Sequence, residues 1–261
     1  MELGLTDRIV VVTGASKGIG LACVHAFAAE GARVAMISRS RANLDAALAA
    51  MPRAARRPVA IVADLVNAAE SDRAIDEAAR ALGPIDVLVN SAGAARRYPP
   101  GELSAEAWHD AMDAKFFSYI HPMDRVVRAM AARGRGAIVN IVGQGGKVAS
   151  PVHMPGGAAN AALMLATAGL AAAFGPKGVR VNAINPGATL TGRVQEGLAA
   201  EARMTGLDAS ELLARMQQRI PLGRLGTPEE IARVAVFLAS DAASYVSGAI
   251  VPMDGASSAV I

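Results

Sequence analysis

The sequence predicts a single α/β domain, a doubly wound parallel sheet with helices on both faces. Three observations carry that expectation. Apolar, β-branched runs alternate with helical stretches along the chain, the pattern of parallel strands joined by crossover helices. The first run, Ile9-Val10-Val11-Val12, leads directly into the glycine-rich stretch Thr13-Gly14-Ala15-Ser16-Lys17-Gly18-Ile19-Gly20. The length, 261 residues, suits one large domain with a substantial core, and the domain is expected to span residues 1–261.

The glycine-rich stretch reads as strand, tight turn and helix. Gly14 closes the turn without a Cβ clash, Gly18 lets backbone amides approach a pyrophosphate, and Gly20 lets the helix pack on the strand. Those amides and the helix N-terminus form an anion site. A second strand, Val34-Ala35-Met36-Ile37, follows where a βαβ unit needs it.

Ser38-Arg39 comes next, then an Ala-rich helix from Arg41 to Ala50 stopped by Pro52. A carboxylate at the end of the second strand binds the ribose 2′-hydroxyl of NAD, but none is present here. Ser38, Arg39 and Lys17 or Arg41 offer donors and positive charge to a 2′-phosphate instead, which favours NADP(H) over NAD(H). A merely solvated Arg39 is the competing possibility.

Val59 to Ala63 reads as a third strand running into Asp64-Leu65, and Ala68 to Leu82 as a helix stopped by Gly83-Pro84. Val87-Leu88-Val89 is a fourth strand ending in Asn90-Ser91-Ala92-Gly93. In such a sheet the ligand crevice lies at the carboxyl ends of the strands, where Gly14, Asp64 and Asn90 all fall.

Composition excludes several classes of function. The formal net charge is +3, yet no basic block exceeds Arg56-Arg57 or Arg96-Arg97 and both signs are interspersed, so no nucleic-acid partner is expected. No metal-ligand cluster stands out, and no metal is expected. Cys23 is the only cysteine, which rules out an internal disulfide and points to a buried small hydrophobe. Without a signal-peptide pattern at the N-terminus, a cytoplasmic protein is expected. From Val148 to Pro176 there is no Asp, Glu, Lys or Arg, and the later half, Ala158 to Phe174, is almost wholly small or apolar; the length admits a membrane span, but glycines and prolines bracket it. It is expected to be a helix buried within the protein or against a partner subunit.

With these residues in place, the chain resembles the short-chain dehydrogenase/reductases along nearly its whole length, and the fold is expected to be Rossmann-like. The resemblance rests on Thr13-Gly14-x-x-x-Gly18-Ile19-Gly20, Asp64-Leu65, Asn90-Ser91-Ala92-Gly93 and Arg180-Val181-Asn182-Ala183-Ile184-Asn185-Pro186-Gly187. Pro228-Glu229-Glu230-Ile231-Ala232, Phe237-Leu238-Ala239-Ser240-Asp241, Ser247-Gly248 and Asp254-Gly255-Ala256 extend it. It implies that Asp64 and Leu65 meet the adenine, and that Asn90, Ala92 and Gly93 support the cofactor ribose and the central sheet. It also implies that Pro186, Gly187, Thr189 and Thr191 approach the nicotinamide or diphosphate. A dimer or tetramer is implied, paired through Gly157–Phe174 and a helix over Ala111–Arg133.

Members of the family transfer hydride with Ser, Tyr and Lys in Tyr-x-x-x-Lys and an Asn on the preceding long helix. Tyr protonates the carbonyl oxygen, Ser hydrogen-bonds it, and Lys lowers the Tyr pKa while holding the ribose. Carried over residue by residue, the Ser position falls on Gly143, the Tyr on Gly156, the Lys on Asn160 and the Asn on Lys115. No Tyr-x-x-x-Lys occurs anywhere.

Asn160 retains hydrogen bonds for ribose hydroxyls. Lys115, one of four lysines, is a candidate acid or electrostatic stabiliser, or else a structural donor to backbone carbonyls. His153 is a candidate proton donor in the loop bordering the pocket, or else packs that loop. Tyr119, one turn beyond Lys115, is expected to pack on the sheet. Gln144 offers an amide donor. Arg96-Arg97 and Tyr98 fall on the substrate side, either solvated or suited to an anion. Residues 193–220 form an expected helical substrate lid, whose Met204, Leu207, Leu212, Leu213 and Met216 offer an apolar wall or ordinary core.

Two functions compete on this reading. One is a short-chain oxidoreductase of a small-molecule substrate with an altered proton donor. The other is a non-catalytic NADP(H)-binding regulatory protein or inactive subunit. A lyase or isomerase on the same fold is a weaker third.

Overall fold

The computed structural model describes residues 2–52, 56–93 and 96–258, apart from a few side chains within residues 193–205. Among them, seven parallel strands hydrogen-bond in the order β3-β2-β1-β4-β5-β6-β7. These are β1 (Ile9–Thr13), β2 (Arg33–Ser38), β3 (Val59–Val62), β4 (Val87–Asn90), β5 (Gly136–Ile141), β6 (Val179–Pro186) and β7 (Ile250–Met253). The order reverses between β1 and β4, which opens a crevice above their carboxyl ends.

Side-chain alternation along β1 divides the core in two. Val10 and Val12 face α1 (Gly18–Ala29) and α9 (Pro228–Ala239) with Phe27, Cys23, Ile231 and Ala235; Ile9 and Val11 face the opposite layer with Ile75, Val126, Tyr119 and Leu163. That second layer is α3 (Ala68–Leu82), α5 (Ser118–Arg133) and α6 (Met154–Phe174). The sheet is covered on both faces, so its strands read as continuous apolar runs. Cys23 is fully buried, and burial pushes its thiol up to about 12.

α2 (Arg41–Ala50) and α3 have the predicted boundaries, each started by a side-chain cap, Ser40 to Asn43 N at 3.2 Å and Asn67 to Glu70 N at 3.0 Å. Two expected helices depart from a regular α-helix. The helix expected over Ala111–Arg133 is continuous, but it begins earlier, as α4 (Ala105–Ala111), and carries a π-helical turn over Met112–Phe117 before α5. Pro122 lies one turn into α5 and cannot donate to the carbonyl four residues back, and Ser118 Oγ donates to Ala114 O at 3.0 Å inside the π turn. The stretch 193–220 divides into α7 (Gly192–Thr205) and α8 (Ala209–Gln218), because Gly206 turns left-handed at φ 72° and Asp208 caps a new helix.

α6 is the one described helix long and apolar enough to cross a membrane, yet it packs on β6, the turn at Gln144–Gly146 and the π turn. Only a third of its apolar window is buried, so the expected burial is incomplete within one chain.

α9 starts with a reciprocal capping box: Thr227 Oγ1 accepts from Glu230 N at 3.3 Å and a Glu230 carboxylate oxygen accepts from Thr227 N at 2.8 Å. Hydrogen bonds from Arg224 and from the Thr227 amide lower the Glu230 pKa from 4.5 to about 2. The charged box therefore stabilises the fold above pH 4.5, and that contribution fades as pH falls towards 2. Denaturant midpoints measured across this window should fall more steeply for the natural protein than for Glu230→Gln; parallel curves would remove the box as the cause.

Candidate active site and nucleotide crevice

The crevice is built from the turn after β1 outward. Ala15 N donates to Ile37 O at 3.2 Å, tying the glycine-rich turn to β2, while a methyl group at Gly20 would collide with Gly14 O. Thr191 reaches across from the loop after β6, its methyl 3.6 Å from the Cβ direction of Gly18. Thr189 is buried, and Leu190 N donates to Gly226 O at 2.8 Å, which fixes this loop. Gly187 N donates to Met253 O at 3.0 Å, and Pro186 closes the end of β6.

At the far end of the crevice Ser16 Oγ and Ser38 Oγ lie 3.0 Å apart, with Lys17 and Arg39 exposed beside them. Asp64 accepts from Val66 N at 3.2 Å, and its own amide donates to Glu70 at 2.9 Å. Leu65 is buried and its carbonyl lies 2.9 Å from His121 Nδ1 on α5. No spacing in the sequence pointed to His121.

The sheet's midline carries a buried polar chain. Thr13 Oγ1 accepts from Ser91 N and Ala92 N at 3.1 and 3.3 Å and donates to Asn90 Oδ1 at 3.4 Å. Asn90 Nδ2 donates to Asn140 Oδ1 at 3.0 Å, and Asn140 Nδ2 to Thr167 Oγ1 on α6 at 3.0 Å. Gly93 rests against Ala114 O of the π turn. Asn90, Ala92 and Gly93 thus link the glycine-rich turn to the helices behind the site.

At the expected reaction end, Gly143, Gly145, His153 and Asn160 converge. Asn160 Nδ2 lies 3.3 Å from the Cβ direction of Gly143 and 3.5 Å from that of Gly145, and His153 Cδ2 lies 3.2 Å from the latter. Gly156 is buried on the first turn of α6. Asn160 is only 5% exposed and its Oδ1 has no hydrogen-bond partner, a buried acceptor open to a donor such as a ribose hydroxyl. Gly143 has φ 129° and ψ 147°, a conformation close to glycine-only, so a serine there would strain the backbone by about 1–3 kcal/mol.

Lys115 is not in this group. It is carried into the core by the π turn, 8% exposed, where its Nζ donates to Tyr119 Oη at 2.8 Å and to Ile141 O at 3.1 Å. Tyr119 is fully buried, as expected, and donates to the same carbonyl at 2.6 Å. Ile141 is two residues from Gly143, so the ammonium adjoins the reaction end from behind β5. Gln144 Oε1 approaches Gly187 instead, 2.9 Å from its Cβ direction. In the expected lid Leu212 is buried and Leu207, Leu213 and Met216 half-buried, whereas the Met204 side chain lies outside the described residues.

Comparison with known proteins shows the family of the chain. The family model described as Enoyl-(Acyl carrier protein) reductase matches residues 14–257. Galactitol 2-dehydrogenase (L-tagatose-forming) of Cereibacter sphaeroides is 39% identical over 253 residues, 96% of this chain and 95% of its own. L-sorbose reductase of Gluconobacter frateurii, solved with NADPH and L-sorbose, superposes with TM-score 0.94 at 28% identity over 100% of both chains. An NADPH-bound short chain oxidoreductase of Pseudomonas aeruginosa PAO1, described as containing an atypical catalytic center, superposes with TM-score 0.90 at 35% identity, covering 99% of this chain and 100% of its own. Fold, crevice and relatives agree: the chain belongs to the short-chain dehydrogenase/reductase family.

Proposed function

We propose that this protein is an NADP(H)-dependent oxidoreductase of a small-molecule carbonyl or alcohol, with Lys115 supplying the electrostatic stabilisation or proton that the Ser and Tyr positions no longer provide. The carrying observation is the buried Lys115 ammonium, anchored on Tyr119 and Ile141 O immediately behind the Gly143 loop. NADP(H), when bound, supplies or accepts the hydride. The residues present fit that cofactor: the glycine turn would let backbone amides face a diphosphate, and the unpartnered Asn160 Oδ1 would accept from a ribose hydroxyl.

Gly14, Ser16, Lys17, Gly18, Ile19 and Gly20 would hold the diphosphate with Pro186, Gly187, Thr189 and Thr191. Ser38 and Arg39 would hold a 2′-phosphate, and Asp64, Leu65, Asn90, Ala92 and Gly93 the adenosine and sheet-side ribose contacts. His153 would close the pocket beside Asn160, and α7 and α8 would form the lid. A charged group beside the developing oxyanion lowers the barrier without needing a hydroxyl.

Arg39→Ala is expected to weaken NADPH binding about tenfold and leave NADH binding unchanged, the scale of one charge-assisted hydrogen bond. Calorimetric titration with each nucleotide reads both; an equal loss for the two would mean that Arg39 does not select the phosphate.

The glycine backbone at 143 and the absence of a side chain at 156 favour a second reading, an NADP(H)-binding protein that performs no turnover. NADPH binding without reduction of any ketone, aldehyde or sugar in a broad panel would select it. Loss of NADPH binding would sink both readings.

We also propose a cytoplasmic homodimer or homotetramer paired through α5 and α6. The outer face of α6 is uncharged, and Leu165 on it is 77% exposed. An apolar face of this kind suits a permanent homomeric interface. Leu165→Arg should convert the oligomer to smaller species in light scattering at micromolar concentration; an unchanged mass would place the contact elsewhere.

A further inference from the structure

We infer that the substrate bears an oxyanion, and that Arg96 and Arg97 seat it at the mouth of the crevice; the inference rests on the oxidoreductase reading above. β4 ends at Asn90, on the carboxyl edge of the sheet. Tyr98 N donates to Val152 O at 3.0 Å, which staples the segment carrying both arginines to the loop that carries His153. His153 in turn abuts Gly145, and Gly145 abuts Asn160. Arg96 and Arg97 are exposed, and among the described residues neither enters an ion pair.

Basic groups outnumber acidic ones on the strand-end segments around this mouth. The chain carries no carboxylate side chain from Val87 to Gly101, nor from Arg125 to Gln195, the segments that supply β4 and the start of the loop after it, then β5, α6, β6 and the connections from β5 to β6; Glu102, Glu106, Asp110, Asp113 and Asp124 lie between the two. Lys115 and Lys147 come from the elements that frame the same end. Asp254 reaches this edge against Gly187, but its two carboxylate oxygens accept from Ala256 N at 3.1 Å and Ser258 N at 3.0 Å. Glu102 and Asp113, on neighbouring segments, are exposed to solvent.

A cationic cleft mouth raises the local concentration of anions, and the guanidinium fork matches a carboxylate, sulfonate or phosphate in two parallel hydrogen bonds. Binding energy at such a remote handle orients the reacting carbon. Orientation of that kind matters where positions 143 and 156 offer no hydroxyl to the carbonyl. Arg39 lies at the opposite end of the crevice, so anion binding here is separable from recognition of the cofactor phosphate.

The test compares oxo acids of four to seven carbons, 4-oxopentanoate among them, with their methyl esters, titrated into NADPH-saturated protein. The acids are expected to bind at least tenfold more tightly than the esters, with a preference that declines as salt is added. Arg96→Ala/Arg97→Ala should abolish that preference and leave the NADPH dissociation constant within about twofold. Equal binding of acids and esters, no binding of either, or a preference that survives in the double variant would overturn the inference. Failure of the unsubstituted protein to bind NADPH, measured first, would remove the oxidoreductase reading and this inference with it.

Discussion

Replacing Lys115 with methionine is expected to reduce NADPH-dependent turnover by roughly 10²–10⁴-fold, the range for loss of a catalytic acid or a preorganised electrostatic group. NADPH affinity should stay within about twofold, because Lys115 reaches Tyr119 and Ile141 O and stands apart from the Asn160 acceptor and the phosphate turn. Methionine keeps the aliphatic volume and removes a desolvated charge, so the variant should fold. Tyr119 also retains its own 2.6 Å hydrogen bond to Ile141 O. Single-turnover kinetics beside cofactor titration separate the two quantities. Full turnover in a folded Lys115→Met protein would assign Lys115 to structure and return the proton to His153 or solvent.

Gly20→Ala is expected to abolish measurable NADPH binding and to lower stability by about 2–4 kcal/mol. The added methyl would meet Gly14 O, lie 2.8 Å from Gly14 C and 3.2 Å from Ala15 Cα, all backbone atoms of the turn. Backbone cannot swing aside as a long side chain can, and overpacking of this kind costs about 1–3 kcal/mol before any loss of helix packing is added. α1 would be pushed from the sheet, taking with it contacts of Phe27, Cys23 and Val24 with α9. Denaturant unfolding and calorimetry read the two effects together. A variant that binds NADPH normally would show that the turn relaxes at little cost, and that its amides need not approach so closely.

Much of this molecule was legible in the chain because its signals are local. α2 and α3 were read to their ends because Pro52 and Gly83-Pro84 stand within a few residues of their last turns. The nucleotide crevice was legible because a glycine turn, strand-end Asp64 and strand-end Asn90 each sit where a parallel strand stops. The π turn was not: it depends on how α4 and α5 meet behind β5, and residues 105–133 keep an unbroken helical pattern. The break between α7 and α8 turns on one left-handed glycine, which reads equally well as a tolerated residue within a longer helix.

Legible in the chain alone were the fold class, the family, the place of the glycine-rich turn after β1, and the identities Gly143, Gly156 and Asn160 at the positions where the family resemblance implies hydroxyl and amine chemistry. These follow from motif spacing and the two-fold and 3.6-fold periods of backbone structure, which need no knowledge of distant contacts. Visible only in the folded chain are the hydrogen bonds of Lys115 to Tyr119 and Ile141 O, the positive φ of Gly143, and the backbone bond from Tyr98 to Val152 that ties the segment of Arg96 and Arg97 to the loop of His153. Each of these depends on residues far apart in sequence meeting at one strand end. The physical cause is burial: once a cation or an amide leaves water it must take whatever partner the packed fold supplies.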